Sequence, residues 1–343
     1  MIRHAQQAHR CFRLRGVAAP MLLLAVALLA GGASAVAAAP DSTAAAPVPA
    51  AIAMPAPKLS GYVQARESWQ KAAGWTTLLN RVRFAIDGTL PSRFSYRMLT
   101  ELEAAAGARN PATVSLREAV VRWSPAPFTF TAGQFKAPFT REYLIPVADL
   151  ELADLAVVID SLAPKYDIGV MAEYAWGPTA TLSLGAFNGE GANTTANRES
   201  NVLVVGRAAV RPLPQLALGA SLARDAADSL RWGVDASAQH RGAVVRAEYV
   251  TRHRDGRPRS KDDFGWYVFE SYRVVPRLQV MARQEDFQRP WYGPFRRSRG
   301  LAWGAIYDVA PGRVKVLGEV SRRMTGKAQQ HVDVYLAQLQ VRF

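Results

Sequence analysis

The sequence predicts an all-β fold, a 16-stranded antiparallel transmembrane β-barrel with an inward-folded third loop. Three features carry this expectation. Turn residues recur with one period, the segments between them alternate apolar and polar side chains, and the final segment ends on an aromatic residue. In residues 331 to 343, Tyr335, Ala337, Leu339, Val341 and Phe343 share one face, while Leu336, Gln338, Gln340 and Arg342 share the other. Strand side chains alternate faces, so one face is apolar with an aromatic at each end. Such a strand suits lipid on one side and a polar lumen on the other. An ordinary half-buried edge strand has the same pattern, so the rest of the chain decides.

From Lys58 onward, Pro91, Pro125, Pro178, Pro212, Arg241-Gly242, Pro276 and Pro311 each sit in a short break between alternating segments. The intervals are 34, 53, 34, 29, 35 and 35 residues. That spacing fits hairpins with a tight turn at the near end and a loop at the far end. Seven near-side turns separate eight hairpins, which gives sixteen strands and puts both ends of the barrel on the turn side. A pair of β-sandwiches would seldom keep one period with such asymmetry between turns and loops.

The strands alternate as a barrel requires. Strand two sets Leu78, Val82, Phe84 and Ile86 against Arg81, Arg83 and Asp87. Strand three sets Phe94, Tyr96, Met98 and Leu102 against Arg93, Arg97, Glu101 and Glu103. Strand eight sets Val202, Val204, Ala208 and Val210 against Arg207 and Arg211; strand eleven sets Val245, Ala247 and Tyr249 against Arg246, Glu248 and Arg252. Strands thirteen and fifteen repeat the pattern with Gln279, Arg283 and Glu285, and with Arg313, Lys315 and Glu319. The expected pore-lining cations are Arg66, Arg81, Arg83, Arg93, Arg97, Arg122, Arg207, Arg246, Arg283 and Lys315. Sixteen strands leave a water-filled channel rather than a packed interior, and arginines there raise the local anion concentration. Carboxylates such as Glu101 and Glu248 are expected to pair with neighbouring arginines across strands.

Residues 1–35 read as a signal peptide: Arg3, Arg10, Arg13 and Arg15, an apolar stretch from Ala18 to Ala30, then Gly31-Gly32-Ala33-Ser34-Ala35. Residues 36–57 are rich in Ala and Pro and read as a flexible tail, leaving residues 58–343 for the barrel. After residue 40 no apolar run is long enough for a membrane helix, so a spanning role falls to strands. The chain carries a formal charge of +14, and its one cysteine, Cys11, lies in the leader. Disulfides and cysteine-held metals are thereby excluded from residues 36–343.

The 53-residue interval is the exception to the period. Strand five ends near Phe135 and strand six begins near Lys165; between them, Leu144 to Leu162 reads as a short amphipathic helix after Pro146. The motif Gly133-Gln134-Phe135-Lys136-Ala137-Pro138-Phe139 resembles the strand-to-loop passage of the phosphate-selective porins of the O and P type. Leu162-Ala163-Pro164-Lys165-Tyr166-Asp167-Ile168-Gly169-Val170 is similar to that family's return into strand six. Phe187-Asn188-Gly189-Glu190-Gly191-Ala192-Asn193, with Gly206-Arg207 and Pro212, is similar to its Asn-Gly-rich loop and following strand.

The resemblance implies a homotrimeric channel of the bacterial outer membrane that prefers small inorganic anions, in some members phosphate or polyphosphate. It implies that basic residues at the start of the inward loop meet the anion, here Lys136 and Arg141, with wall arginines as the approach. Glu142, Asp149, Glu151, Asp154 and Asp160 depart from a purely basic loop; they either face the pore or brace the loop against the wall. The alternative is a general diffusion porin with weak anion preference and no phosphate site.

Two outer segments are basic, Arg252 to Lys261 and Arg296, Arg297 and Arg299. They read as a funnel for anions or as contacts to lipopolysaccharide phosphates; export makes nucleic acid an improbable partner. No HExxH, Gly-x-Ser-x-Gly or Walker-type sequence occurs. His240, His253 and His331 read as surface histidines, so neither an enzyme nor a cofactor is expected.

Overall fold

The structure is a computed structural model that describes residues 54–103, 113–194, 202–225, 229–290, 297–325 and 330–343. The expected signal peptide and most of the Ala/Pro-rich tail lie outside the described residues. The strands are β1 (Lys58–Gln70), β2 (Gly74–Leu90), β3 (Phe94–Glu103), β4 (Thr113–Trp123), β5 (Phe128–Lys136), β6 (Tyr166–Trp176), β7 (Ala180–Phe187) and β8 (Leu203–Leu213). They continue as β9 (Leu216–Asp225), β10 (Ser229–His240), β11 (Ala243–Arg254), β12 (Asp263–Val275), β13 (Leu278–Gln288), β14 (Arg297–Ala310), β15 (Val314–Thr325) and β16 (Gln330–Arg342). Each pairs antiparallel with its sequence neighbours, and β1 pairs with β16 to close the barrel.

Closure depends on one glycine. Gly61 and Phe343 exchange two backbone hydrogen bonds of 3.1 Å. A Cβ on Gly61 would come within 2.6 Å of the Phe343 ring and 2.5 Å of the Arg83 carbonyl oxygen. A larger residue would therefore hold the seam open. Closure leaves no unpaired strand edge, which a bilayer demands.

The turn signals fall at the short connections, with one shift. Pro212 is the penultimate residue of β8, and the turn itself lies at Pro214-Gln215. The outward face is apolar along its length, with Leu184 and Val234 among its exposed residues. At the turn end outward rings pack in series: Phe94 on Trp123, Trp123 on Phe130, Phe128 on Tyr174 and Tyr174 on Trp176, with centroids 4.3–6.1 Å apart. Trp75, Trp232 and Tyr335 stand outward towards the loop end. An apolar band between two aromatic girdles is the surface a transmembrane barrel shows to lipid.

Of the five register shifts among the described strands, two lie beside the open side of the lumen. Between Gln64 and Ala65 the register of β1 on β2 skips Asn80, so Arg66 faces Leu78 and Ala65 faces Leu79. Leu78 thus stands on the lumen face, not with Val82, Phe84 and Ile86 as simple alternation predicts. Between Leu99 and Thr100 the register of β3 on β4 skips Arg117. Each bulge sends two successive side chains inward, Asn80 with Arg81 and Arg117 with Glu118.

The segment between β5 and β6 holds α1 (Arg141–Leu144), a 3-10 turn (Val147–Asp149) and α2 (Val157–Leu162). The single amphipathic helix expected after Pro146 is therefore a 3-10 turn and the short α2, with α1 before the proline, because wall groups rather than a continuous helical ladder satisfy many of the segment's amides. Gly133 starts the passage with φ +121, and a Cβ there would lie 2.0 Å from the Ala119 carbonyl oxygen. The segment bonds to β9, β10, β11, β13, β15, β16 and β1 on their polar face. One segment reaches so many strands on one face only from inside the barrel.

An apolar core forms there. Phe139, Leu152, Val158, Ile159 and Leu162 of the segment pack on Val205, Val250, Tyr267, Phe269, Met281 and Leu317 of the wall. The uniformly water-filled interior expected from sixteen strands is thus corrected. One side of the lumen is packed, and open space remains along β2–β6.

Candidate functional site

The open space is a cavity of about 960 Å³ lined from β2, β3, β4, β5 and the inward segment. Its charged lining comprises Arg81, Arg83, Arg117, Lys136 and Lys165 against Glu101 and Asp160, five cations to two carboxylates. Tyr143 and Tyr166 add two rings, and Leu78, Ile145, Val147 and Leu155 add apolar wall.

Glu101 organises the arginines. Its carboxylate accepts from Arg83 at 2.9 Å and Arg117 at 2.6 Å, and Arg81 lies 3.7 Å away. The Asn80 amide lies within hydrogen-bond reach of Gln64, Gln338, Arg66 and Arg81. Lys136 is held differently. Its ammonium donates to the Tyr143 carbonyl at 2.5 Å and the Ile145 carbonyl at 3.0 Å, and it lies 4.9 and 5.8 Å from the Tyr143 and Tyr166 ring centres. Lys165 pairs with Asp160 at 2.9 Å, and both side chains are more than half exposed.

The loop carboxylates divide sharply. Glu142 lies 3.3 Å from Arg283 and accepts from the Ala156 amide. Glu151 pairs with Arg246 at 2.6 Å, Asp149 with Arg342 at 2.6 Å and Asp154 with Arg66 at 3.3 Å. These four brace the segment against the wall; Asp160 alone among the five lines the open cavity. Burial pushes the Glu142 carboxyl above the ordinary carboxylate range, and Arg283 pulls against that shift.

The wall answers with its own carboxylates. Glu248 accepts from the Arg141 amide at 2.8 Å, the Glu142 amide at 2.5 Å and the Tyr267 hydroxyl at 2.7 Å. It is thus a holder of loop amides, not the cross-strand arginine partner that the sequence predicts. Glu319 accepts from the Ala153 amide at 2.8 Å and Glu285 from the Val157 amide at 3.0 Å.

The two residues expected to meet the anion separate. Lys136 lines the cavity. Arg141 turns away to Asp235 at 2.7 Å on the packed side, because its amide is already anchored to Glu248. Among the expected wall cations, Arg81 and Arg83 line the cavity. Arg97 pairs with Asp87 and Glu118 towards the turn end, and Arg122, inward on β4, has no ion-pair partner among the described residues. Arg93 lies in the β2–β3 turn with φ 67 and is exposed, so it is not a wall residue. Arg66, Arg246 and Arg283 bind the segment, Lys315 caps the Ala148 and Leu150 carbonyls at 3.0 Å, and Arg207 pairs with Asp235. Simple alternation found the inward arginines but could not rank them. Arg117 it missed, because the bulge alters its parity. Lys165 stood inside a motif but one residue before the strand.

The basic outer segments are largely neutralised. Arg252 and Arg254 pair with Asp263, Arg297 and Arg299 with Asp286, and Arg224 with Asp255. The bond from Arg224 holds Asp255 below the ordinary carboxylate range. Arg296 lies outside the described residues. His253 lies 2.7 Å from Asp262, His240 ends β10, and His331 is the second residue of β16. Among the described residues no group of His, Cys, Asp or Glu is placed to hold a metal ion.

Solved structures similar in shape share little sequence. OmpT of Vibrio cholerae in a trimer form matches with TM-score 0.62 at 10% identity, over 84% of this chain and 99% of that one. An anion-selective porin from Comamonas acidovorans matches with TM-score 0.63 at 13% identity, over 84% and 99%. A mutant of Rh. blastica porin matches with TM-score 0.61 at 17% identity, over 84% and 100%. No curated protein matches the sequence. Residues 68–225, which carry β2 to β9 and the inward segment, match the model of the family described as phosphate-selective porin O and P.

Proposed function

We propose that the barrel conducts small inorganic anions by passive diffusion across the bacterial outer membrane, through the opening between β2–β6 and the inward segment. The observation that carries this reading is the lining of that opening, five cations to two carboxylates, with Glu142, Glu151 and Asp149 of the loop paired to arginines elsewhere on the wall. An anion entering exchanges part of its hydration for charge-assisted hydrogen bonds from guanidinium and ammonium groups. Low-polarity walls focus that field. Conduction also requires weak holding, and the existing ion pairs serve this by keeping each cation partly satisfied before the anion arrives.

Arg122, Arg97, Arg83 and Arg81 follow one another from the turn end towards the loop end along β2–β4, which suits an approach path. Phosphate and polyphosphate are the proposed substrates within this class, with Lys136 fastening the base of the inward segment beside the opening and Arg141 as a brace. Assembly as a homotrimer is part of the same proposal, supported by the trimer form of the Vibrio cholerae protein. At the loop-side rim, exposed Arg259 and Lys261 are the basic residues best placed to meet lipopolysaccharide phosphates.

The test is the reversal potential of the purified protein in a planar bilayer under a KCl gradient, followed by added phosphate. Anion selectivity with phosphate blocking the chloride current is the expected result. A large, weakly selective conductance indifferent to phosphate would overturn the phosphate site and leave a general diffusion porin.

A further inference from the structure

The cations of the opening are not equally available. Arg83 and Arg117 are held by Glu101, whose side chain is 5% exposed. Lys136 is capped by two carbonyl oxygens and flanked by two tyrosine rings. An anion reaching these groups competes with partners fixed in low-dielectric surroundings, where hydrogen bonds to charge are strong. Lys165 differs. Its only side-chain partner among the described residues is Asp160, five residues earlier on α2, and the pair is exposed on both sides, 59% and 61%. Exposed ion pairs contribute little because water screens them and two long side chains must be ordered. Of the two lysines, Lys165 is therefore the one that an entering anion detaches at less cost. Asp160 is the carboxylate that an entering anion has to displace.

We infer that the Asp160–Lys165 pair is the exchangeable element that sets anion selectivity at the opening, with Lys165 as the contact and Asp160 as a built-in competitor. The inference rests on the anion-channel reading above and names the residues that tune it. When the anion arrives, Lys165 passes from Asp160 to the anion; when it leaves, Asp160 recaptures the ammonium and prevents tight retention. Both residues line the cavity. Neither belongs to the apolar core between segment and wall, so their substitution leaves the packing in place.

The experiment compares wild type with Asp160→Asn, Lys165→Gln and the double variant in planar bilayers, after heat-modifiable mobility has verified a closed barrel. The readouts are the anion-to-cation permeability ratio in a KCl gradient and the phosphate concentration that halves the chloride current. Asp160→Asn is expected to raise the ratio, and Lys165→Gln to lower it, each by about two- to fivefold, the range an exposed pair supports. The double variant should fall between the two single variants, because it also removes the carboxylate that Lys165→Gln leaves unpaired, and the differences should shrink in about 1 M salt, where screening acts over roughly 3 Å. A role confined to loop packing would move both single variants in the same direction, and that result overturns the inference. So does an unchanged ratio in both while Arg117→Gln lowers it, which would leave the anion-channel reading standing. Opposite shifts in the ratio without any phosphate block would sustain the inference and remove phosphate from the reading.

Discussion

Lys136 shows how a side chain can line a channel without being free to serve it. Its ammonium is spent on the Tyr143 and Ile145 carbonyls at the base of the inward segment. Hydrogen bonds to a charged group are worth roughly 1.5–3 kcal/mol each, so the lysine fastens that base to β5. Lys136→Met keeps the stem and removes the ammonium. Single-channel recordings are expected to show a noisier open current, with a smaller loss of anion preference than in Arg117→Gln. An equal loss in both would make Lys136 a direct ion contact. Arg141 makes the complementary case, since it sits on Asp235 beside Arg207. Arg141→Gln leaves Asp235 paired with Arg207, and the reversal potential should stay at the wild-type value.

At the scale of elements, the inward segment is held by an exchange of carboxylates. Its own Glu142, Glu151, Asp149 and Asp154 reach wall arginines, while wall Glu248, Glu285 and Glu319 reach its amides. The sequence showed both sets of acids but not their direction, because a strand's alternation says which face a carboxylate is on and nothing about what crosses the lumen to meet it. Glu248 is the strongest single anchor, with two loop amides and the Tyr267 hydroxyl on one buried carboxylate. Glu248→Ala strands both amides, and each buried group left without a partner costs about 1–3 kcal/mol. The first turn of the segment, α1, is then expected to detach. Liposome swelling with sugars of increasing size should show a larger exclusion limit and the bilayer a larger, less selective conductance. An unchanged exclusion limit would mean that the apolar packing of Phe139, Val158 and Ile159 suffices to hold the segment.

The whole barrel was more legible than its opening, and the reason is periodicity. Strand number, closure and the outward face follow from a repeat that survives small errors at each turn, as the displaced break after Pro212 shows. The opening is built where the repeat fails, at the Asn80 and Arg117 bulges and in a segment whose hydrogen bonds run to β9–β11, β13, β15, β16 and β1. A rule of alternation cannot see either. What the rule does assert about the molecule can be tested by depth. Val234 stands outward at the middle of β10, and Leu230 stands on the same face four residues nearer its loop end. If lipid covers this face, an arginine at the mid-bilayer position costs about 2–4 kcal/mol and one near the interface about 0–1 kcal/mol. Val234→Arg is therefore expected to lower the unfolding free energy in phospholipid vesicles by that larger amount, with Leu230→Arg close to wild type. Equal costs at the two depths would place protein rather than lipid against β10, and the outward apolar face would then belong to a subunit contact.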